Sequence, residues 1–305
     1  MDNIRTDLAV ELCKNLSGND SDLSGIECKS SICGSLKTER TAITTPRGAR
    51  LVGKPMGTYV TVSCGKLWMD HRDKVKEKLF DFADLLRPMI TPQKGQCVLV
   101  AGLGNESITA DAIGPIAVKN LIVTRHIRKE KPLIFQDLGL CEVCAMAPGV
   151  LGQTGIESAD MIHSVIGQVK PEVLVVIDAL ASRDLSRLVN TVQISDSGIS
   201  PGSGIGNSRP SLSPETLGIP IISIGVPTVV DAATLASDAI QSFSHTRISS
   251  EKLRKEWSEN SLNFFVTPKE TDQIIRVLGA FIGHGINLAL NRELSYEDML
   301  SLAGG

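Results

Sequence analysis

No stretch of this 305-residue chain offers the roughly 18 to 20 uninterrupted apolar residues that a bilayer span requires. The opening segment carries Asp2, Arg5, Asp7 and Glu11, charges foreign to the apolar centre of a signal peptide. Neither a membrane-spanning nor a signal-led protein is expected. An excess of one charge is also lacking: 31 Lys+Arg stand against 34 Asp+Glu, a formal net charge of −3. No broad basic face is therefore expected for nucleic acid or an anionic membrane. The seven cysteines (Cys13, Cys28, Cys33, Cys64, Cys97, Cys141, Cys144) are odd in number, which argues against a disulfide framework and for a reducing, cytoplasmic setting. The five histidines, His71, His126, His163, His245 and His284, include no H-E-x-x-H pair, and no Walker sequence occurs. No internal repeat of solenoid period is found.

What is present is an ordinary globular mixture, 42% hydrophobic and 21% charged. The order of elements predicts a single α/β domain. Asn15 to Arg40 has little apolar periodicity and reads as a loop-rich arm, spanning about residues 9–48 with its flanks. Ala49 to Ser63 reads as strand, turn and strand, and Lys66 to Leu86 as an amphipathic helix closed by Pro88. A strict alternation follows: strand Cys97 to Ala101, helix Asp111 to Arg128, strand Leu133 to Gln136, helix Glu157 to Val169, strand Val173 to Ile177. That βαβαβ pattern calls for a mostly parallel or mixed sheet flanked by helices. Further strands are predicted at Leu188 to Ile194 and Ile219 to Ile224, and helices at Val229 to Phe243 and Glu270 to Leu290. Ser195 to Glu215 is a long Gly/Ser/Pro loop, of the kind that is usually functional within a compact domain.

Several motifs are weak. Gly102-Leu103-Gly104-Asn105-Glu106-Ser107 follows a strand but lacks the third glycine of a dinucleotide fingerprint, so a tight βα turn is the better reading. Gly198-Ile199-Ser200-Pro201-Gly202 matches G-x-S-x-G, yet Pro201 has no N–H to supply the oxyanion hole of that elbow. Cys141 and Cys144 form a C-x-x-C that reads as two reduced cysteines rather than a zinc site. The stronger signal is three aspartates at the carboxyl ends of strands: Asp111, Asp178 and Asp231. That edge of an α/β sheet is where ligand crevices open. Two carboxylates there can activate water, directly or through a divalent metal held by Asp111 and Asp178. Asp111 and Asp231 have a competing use as helix caps. Asp178 closes the apolar run Val-Leu-Val-Val-Ile and is costly to bury unless partnered or at work.

The segments Arg5–Glu11 (Arg-Thr-Asp-Leu-Ala-Val-Glu), Gly102–Asn105, Asp111–Pro115, Ala147–Glu157, Ile177–Ala181 and Gly225–Ala232 together resemble the germination protease family of endospore-forming bacteria. The resemblance implies an endopeptidase that starts the degradation of small acid-soluble, DNA-protecting spore proteins during germination. It implies a self-processed zymogen, active as a homotetramer in the forespore and spore core, with a core akin to hydrogenase-maturation proteases. The family's two aspartates proposed as catalytic fall on Asp111 and Asp178; Asp231, from its strand-end position alone, is a candidate for a supporting role. Family substrates are cut after an acidic-plus-hydrophobic pair and before a small residue. By that rule residues 1–8 are a propeptide, residues 9–305 the peptidase domain, and processing falls between Leu8 and Ala9. The competing class is a nucleotide- or anion-binding α/β module without protease activity.

Overall fold

The computed structural model describes residues 6–17, 24–90, 92, 96–202, 210–244, 250–259 and 264–303. Its strands are β1 (Ile26–Cys33), β2 (Leu36–Ile43), β3 (Gly57–Ser63), β4 (Cys97–Gly102), β5 (Glu142–Met146), β6 (Val173–Ser182), β7 (Thr191–Ser195), β8 (Ile221–Asp231) and β9 (Phe265–Val266). They form one sheet in the order β1-β2-β3-β7-β8-β6-β4-β5, with β9 on the far end of β8. The run β5-β4-β6-β8 is parallel; β4, β6 and β8 read as largely apolar stretches because both faces are covered, whereas the edge strand β5 opens on Glu142 and is partly exposed. From β7 through β3 and β2 to β1 the pairing is antiparallel. The expected mixed α/β sheet is thus the one observed.

The helices are α1 (Ala9–Ser17), α2 (Pro46–Val52), α3 (Arg72–Ile90), α4 (Ile113–Lys119), α5 (Arg125–Glu130), α6 (Pro132–Asp137), α7 (Leu151–Thr154), α8 (Ser158–Val169), α9 (Pro214–Leu217), α10 (Ala232–Ser244), α11 (Ser250–Glu259), α12 (Thr271–Leu290) and α13 (Tyr296–Ala303). On one face of the sheet, Val98, Val100, Val175 and Ile177 pack with Phe82 of α3, Ile113 of α4 and Ile282 of α12. On the other, Leu99, Ala101, Leu174 and Val176 pack against Ile162 and Ile166 of α8. Helix α12 is long and apolar enough to cross a membrane, but 72% of its apolar window lies buried inside the fold. Its apolarity serves the core.

Four expectations need correction. The arm at residues 9–48 holds α1, a β1–β2 hairpin and the start of α2. Strand β1 is exposed along nearly its whole length, so no apolar alternation marked it. Ala49–Val52 is helical because Thr45 caps α2, accepting the Gly48 N–H at 3.1 Å, while Pro46 opens the helix and Gly53 (φ +71°) closes it. Leu133–Gln136 also lies in a helix, α6, with Pro132 in its first turn and Leu133 exposed; the fourth parallel strand is β5, which carries Cys144. Finally, the helix expected over residues 111–128 breaks after Lys119. Asn287 of α12 satisfies that break, accepting the Ile122 N–H (2.9 Å) and donating to the Asn120 carbonyl (2.8 Å).

Candidate active site

Strand β6 alternates its side chains between the faces. Val173, Val175 and Ile177 enter the larger core, so Asp178 follows Leu174 and Val176 on the α8 face. It is only 5% exposed, and its Oδ1 accepts the Ala179 N–H at 2.9 Å. Strand β4 ends opposite Ile177, so past that point β6 has no strand on its β4 side. Asp178 therefore stands where the crevice opens.

Asp111 reaches the same place through the turn after β4. Leu103 donates its N–H to the Ile177 carbonyl (2.8 Å), which ties the turn to the residue before Asp178. A Cβ on Gly104 (φ +112°) would meet the Asp111 carbonyl head-on and lie 3.1 Å from its Oδ1, so this position requires glycine. The Asn105 N–H donates to Asp111 Oδ2 at 2.7 Å, and Gln153 of α7 holds the Asn105 side chain at 2.7 Å. Asp111 and Asp178 thus flank one turn at the carboxyl edge. The same bond counts against a phosphate cradle, because a carboxylate already occupies a loop N–H that a phosphate would need. Asn105 and Gln153 were not singled out from the sequence; both lie within the segments that carry the family resemblance.

Asp231 lies elsewhere. It is six residues beyond Gly225, the β8 partner of Asp178, hence roughly 15–20 Å along the sheet. Its Oδ2 accepts the N–H (3.0 Å) and hydroxyl (2.8 Å) of Thr234 and pairs with Arg254 at 3.3 Å. It caps α10 and fastens α11, the helix-capping use noted from the sequence.

The N-terminal segment enters the crevice. Leu8 and Ala9 are fully buried, and Leu8 packs with Val10 and Leu180, with Ile199 alongside. Leu180 is on the same face as Asp178 and two residues on, about 7 Å along the strand. Asp7 donates its N–H to the Ala181 carbonyl (2.8 Å), and its Oδ2 accepts the Ala181 N–H (2.9 Å), so the segment adds itself to the open edge of β6. Lys54 lies 3.6 Å from Asp7 Oδ1. Gln193 of β7 accepts the Ala9 N–H at 2.9 Å and donates to the Asp7 carbonyl at 3.1 Å, holding the backbone on both sides of Leu8. Gln193, Gly225 and Asp178 stand in line across β7, β8 and β6. Directly opposed residues share a face, and any side chain at Gly225 would displace Leu180.

Glu11 fastens the far end of the segment. It accepts the N–H groups of Arg183 (2.8 Å) and Asp184 (3.1 Å) and the Thr6 hydroxyl. Burial raises its pKa above the usual carboxylate value, although these bonds and Arg187 pull the other way. Beside the segment lies a cleft of about 310 Å³, reaching from Lys54, Gln193 and Leu180 to Ser200 and Ser211. The long loop supplies that outer wall. Its ends are joined by two hydrogen bonds between Ile199 and Leu212 (2.9 and 2.8 Å), and residues 203–209 lie outside the described residues.

Among the described residues no group of three or more His, Cys, Asp or Glu is gathered that could hold a metal ion. The described cysteines are free thiols, and Cys144 faces Cys97, not Cys141, at 3.7 Å.

An α/β sheet with two carboxylates at its carboxyl edge and a peptide segment laid beside one of them has the layout expected of a peptidase. Comparison with known proteins agrees: the family model described as Germination protease matches residues 5–262. The chain belongs to the germination protease family. It is 40% identical to the germination protease of Caldanaerobacter subterraneus subsp. tengcongensis and to one from Clostridium perfringens, over 98% of each chain. Identity to the Bacillus subtilis germination protease is 36%, over 97% of this chain and 95% of that one. A solved [NiFe] hydrogenase maturation protease, HycI from Thermococcus kodakarensis KOD1, is similar at TM-score 0.36 and 16% identity, covering 66% of this chain and 98% of that structure.

Proposed function

We propose that this chain is the endopeptidase that opens the degradation of small acid-soluble, DNA-protecting spore proteins during germination, and that it acts in the cytoplasm of the forespore and spore core. It is made as a zymogen and removes its own N-terminal segment, residues 1–8, by cutting between Leu8 and Ala9. It works as a homotetramer, for which the apolar surface of Leu133, Ile134 and Leu138 is suited. Asp111 and Asp178 act on water themselves: one, ionised, takes the proton of the attacking water, and the other, protonated, supplies a proton to the leaving amine.

The observation that carries this reading is the docking of Asp7-Leu8-Ala9 on the open edge of β6, two residues along from Asp178 on the same face. The precursor is held inactive by the same contacts. The carbonyl of the Leu8–Ala9 bond accepts the N–H groups of Glu11 and Leu12 in the first turn of α1, so that turn must unwind before the bond can be attacked.

The test is an intact-mass time course of a small acid-soluble spore protein mixed with the chain trimmed to start at Ala9, beside the Asp178→Asn variant trimmed in the same way. Cleavage by the parent and a loss of about 10²-fold or more in the variant is the expected result. Undiminished cleavage by a folded Asp178→Asn chain would remove the proposal. The new N-terminus of the self-processed chain is expected at Ala9; a start at Leu8 would move the scissile bond by one residue within the same groove.

A further inference from the structure

We infer that the groove now filled by Thr6–Ala9 is the substrate groove itself, with Gln193 as its backbone clamp and Lys54 as the residue that selects an acidic side chain. This rests on the peptidase reading above and adds to it which residues choose the substrate.

Removal of the segment would bare the edge of the groove. Ala181 on the open edge of β6 would present an N–H and a C=O with no strand beside them, and buried backbone groups of that kind demand partners. The segment meets that demand as an added strand does, through the Asp7 N–H, but it uses the Asp7 carboxylate where a strand would bring a carbonyl. A carboxylate is therefore read twice, by the Ala181 N–H at 2.9 Å and by the Lys54 ammonium at 3.6 Å. An asparagine keeps the first contact and loses the charge that answers the second.

Gln193 does the complementary work. It is nearly buried, and its amide is both acceptor to Ala9 and donor to Asp7. These are backbone groups, so the clamp fits any extended peptide and says nothing of its sequence. Sequence is read beside it: Leu8 fills a pocket of Leu180 and Ile199, and Gly225 leaves the room that Leu180 occupies. The groove thus takes an acidic residue, then an apolar one, then a small one, with Lys54, Ala181 and Gln193 each supplying polar contacts. Glu11, which anchors the segment to residues 183 and 184, lies beyond this unit. A substrate needs only the shorter stretch.

The test uses the full chain carrying Asp178→Asn, so that binding is read without turnover. The probe is a labelled peptide of the chain's own sequence, Arg-Thr-Asp-Leu-Ala-Val-Glu, with a second in which Asn replaces Asp. Asp7→Ala with Leu8→Ser in the full chain releases the resident segment. The released chain should bind the Asp peptide at least about tenfold more tightly than its parent, whose groove is filled. Adding Lys54→Gln should cost about tenfold for the Asp peptide and little for the Asn peptide, the size expected of a close, largely buried charge pair. Adding Gln193→Ala should weaken both peptides alike. If the released chain does not fold, the parent serves: excess Asp peptide should speed hydrogen exchange in residues 6–11 by displacing them, and the Asn peptide should do so less. Equal binding with and without release, or a Lys54→Gln loss that ignores the peptide's charge, overturns the inference. Cleavage of the peptide by the Asp178-intact chain is read separately. Cleavage without these affinity differences removes the groove and leaves the peptidase; selective binding without cleavage does the reverse.

Discussion

Glu11 is a carboxyl pressed into the fold, and its raised pKa has a sign that can be followed. Because the docked state binds the proton more tightly than the free chain, whose Glu value is 4.5, protonation favours docking. The stabilisation is fully present below that value and is lost as pH rises through the raised pKa of the docked state. The N-terminal segment should therefore hold most firmly in acid and loosen toward neutrality. A carboxyl-carbon NMR titration should place the Glu11 midpoint above 4.5, and Glu11→Gln should flatten the pH dependence of hydrogen exchange in residues 6–11. A midpoint at or below 4.5 would sink this account. The same kind of reasoning made part of the site legible beforehand. An aspartate closing a five-residue apolar run is costly wherever it sits, so Asp178 announced itself, and Asp111 was selected with it by the strand-end rule. Gln193 and Lys54 did not. Each is an ordinary polar residue until the fold brings it to a segment some 47 or 186 positions away. The one signal for Gln193 was its place as the polar residue between Val192 and Ile194.

Among the elements, the contact that sets Asp111 is the approach of α4 to β4. A Cβ on Gly114 would be driven into the Leu103 backbone and, at 2.7 Å, against the Ile177 carbonyl; one on Gly102 would strike the Gly114 carbonyl. None of these neighbours is a flexible side chain that can swing away. Gly114→Ala should push α4 outward and destabilise the protein by about 1–3 kcal/mol, while disturbing the turn that holds Asp111. Gly167 in α8 is the control, since a Cβ there meets nothing within 4 Å. Gly167→Ala should be neutral or stabilising by about 0.5–1 kcal/mol. Urea unfolding of both variants checks the pair, and equal effects would count against the packing argument. The parallel strands β4, β6 and β8 were readable because burial on both faces leaves apolar runs, whereas the partly exposed edge strand β5, opening on Glu142, left none. The β1–β2 hairpin was hidden because its outer strand is solvated, and α6 was misread because an apolar tetrad after a proline fits a buried strand as well as an exposed helix. Long-range partners such as Asn287, which breaks one expected helix from another 165 residues away, leave no local trace.

The docked segment also joins parts of the molecule that are far apart in the chain. Leu8 rests on Leu180 of β6, and Ile199, which packs against the same cluster, is bonded across the base of the long loop to Leu212, a member of the core beneath α8. Removing the Leu8 side chain from that stack exposes Leu180 and Ile199 together. Burial of one leucine is worth about 1.5–3 kcal/mol, enough to shift a local opening equilibrium by about tenfold or more. The loop base should therefore open when the segment leaves, giving a wider cleft at the moment the groove is vacated. Hydrogen exchange at the Ile199 and Leu212 amides measures this directly, because each donates to the other's carbonyl. In the full chain carrying Asp7→Ala and Leu8→Ser, both amides should exchange at least about tenfold faster than in the parent, while Val175 in the core of β6 stays protected. Unchanged exchange at the loop base would mean that the segment fills the groove without governing the loop, and the cleft would then be as wide with the segment docked as without it.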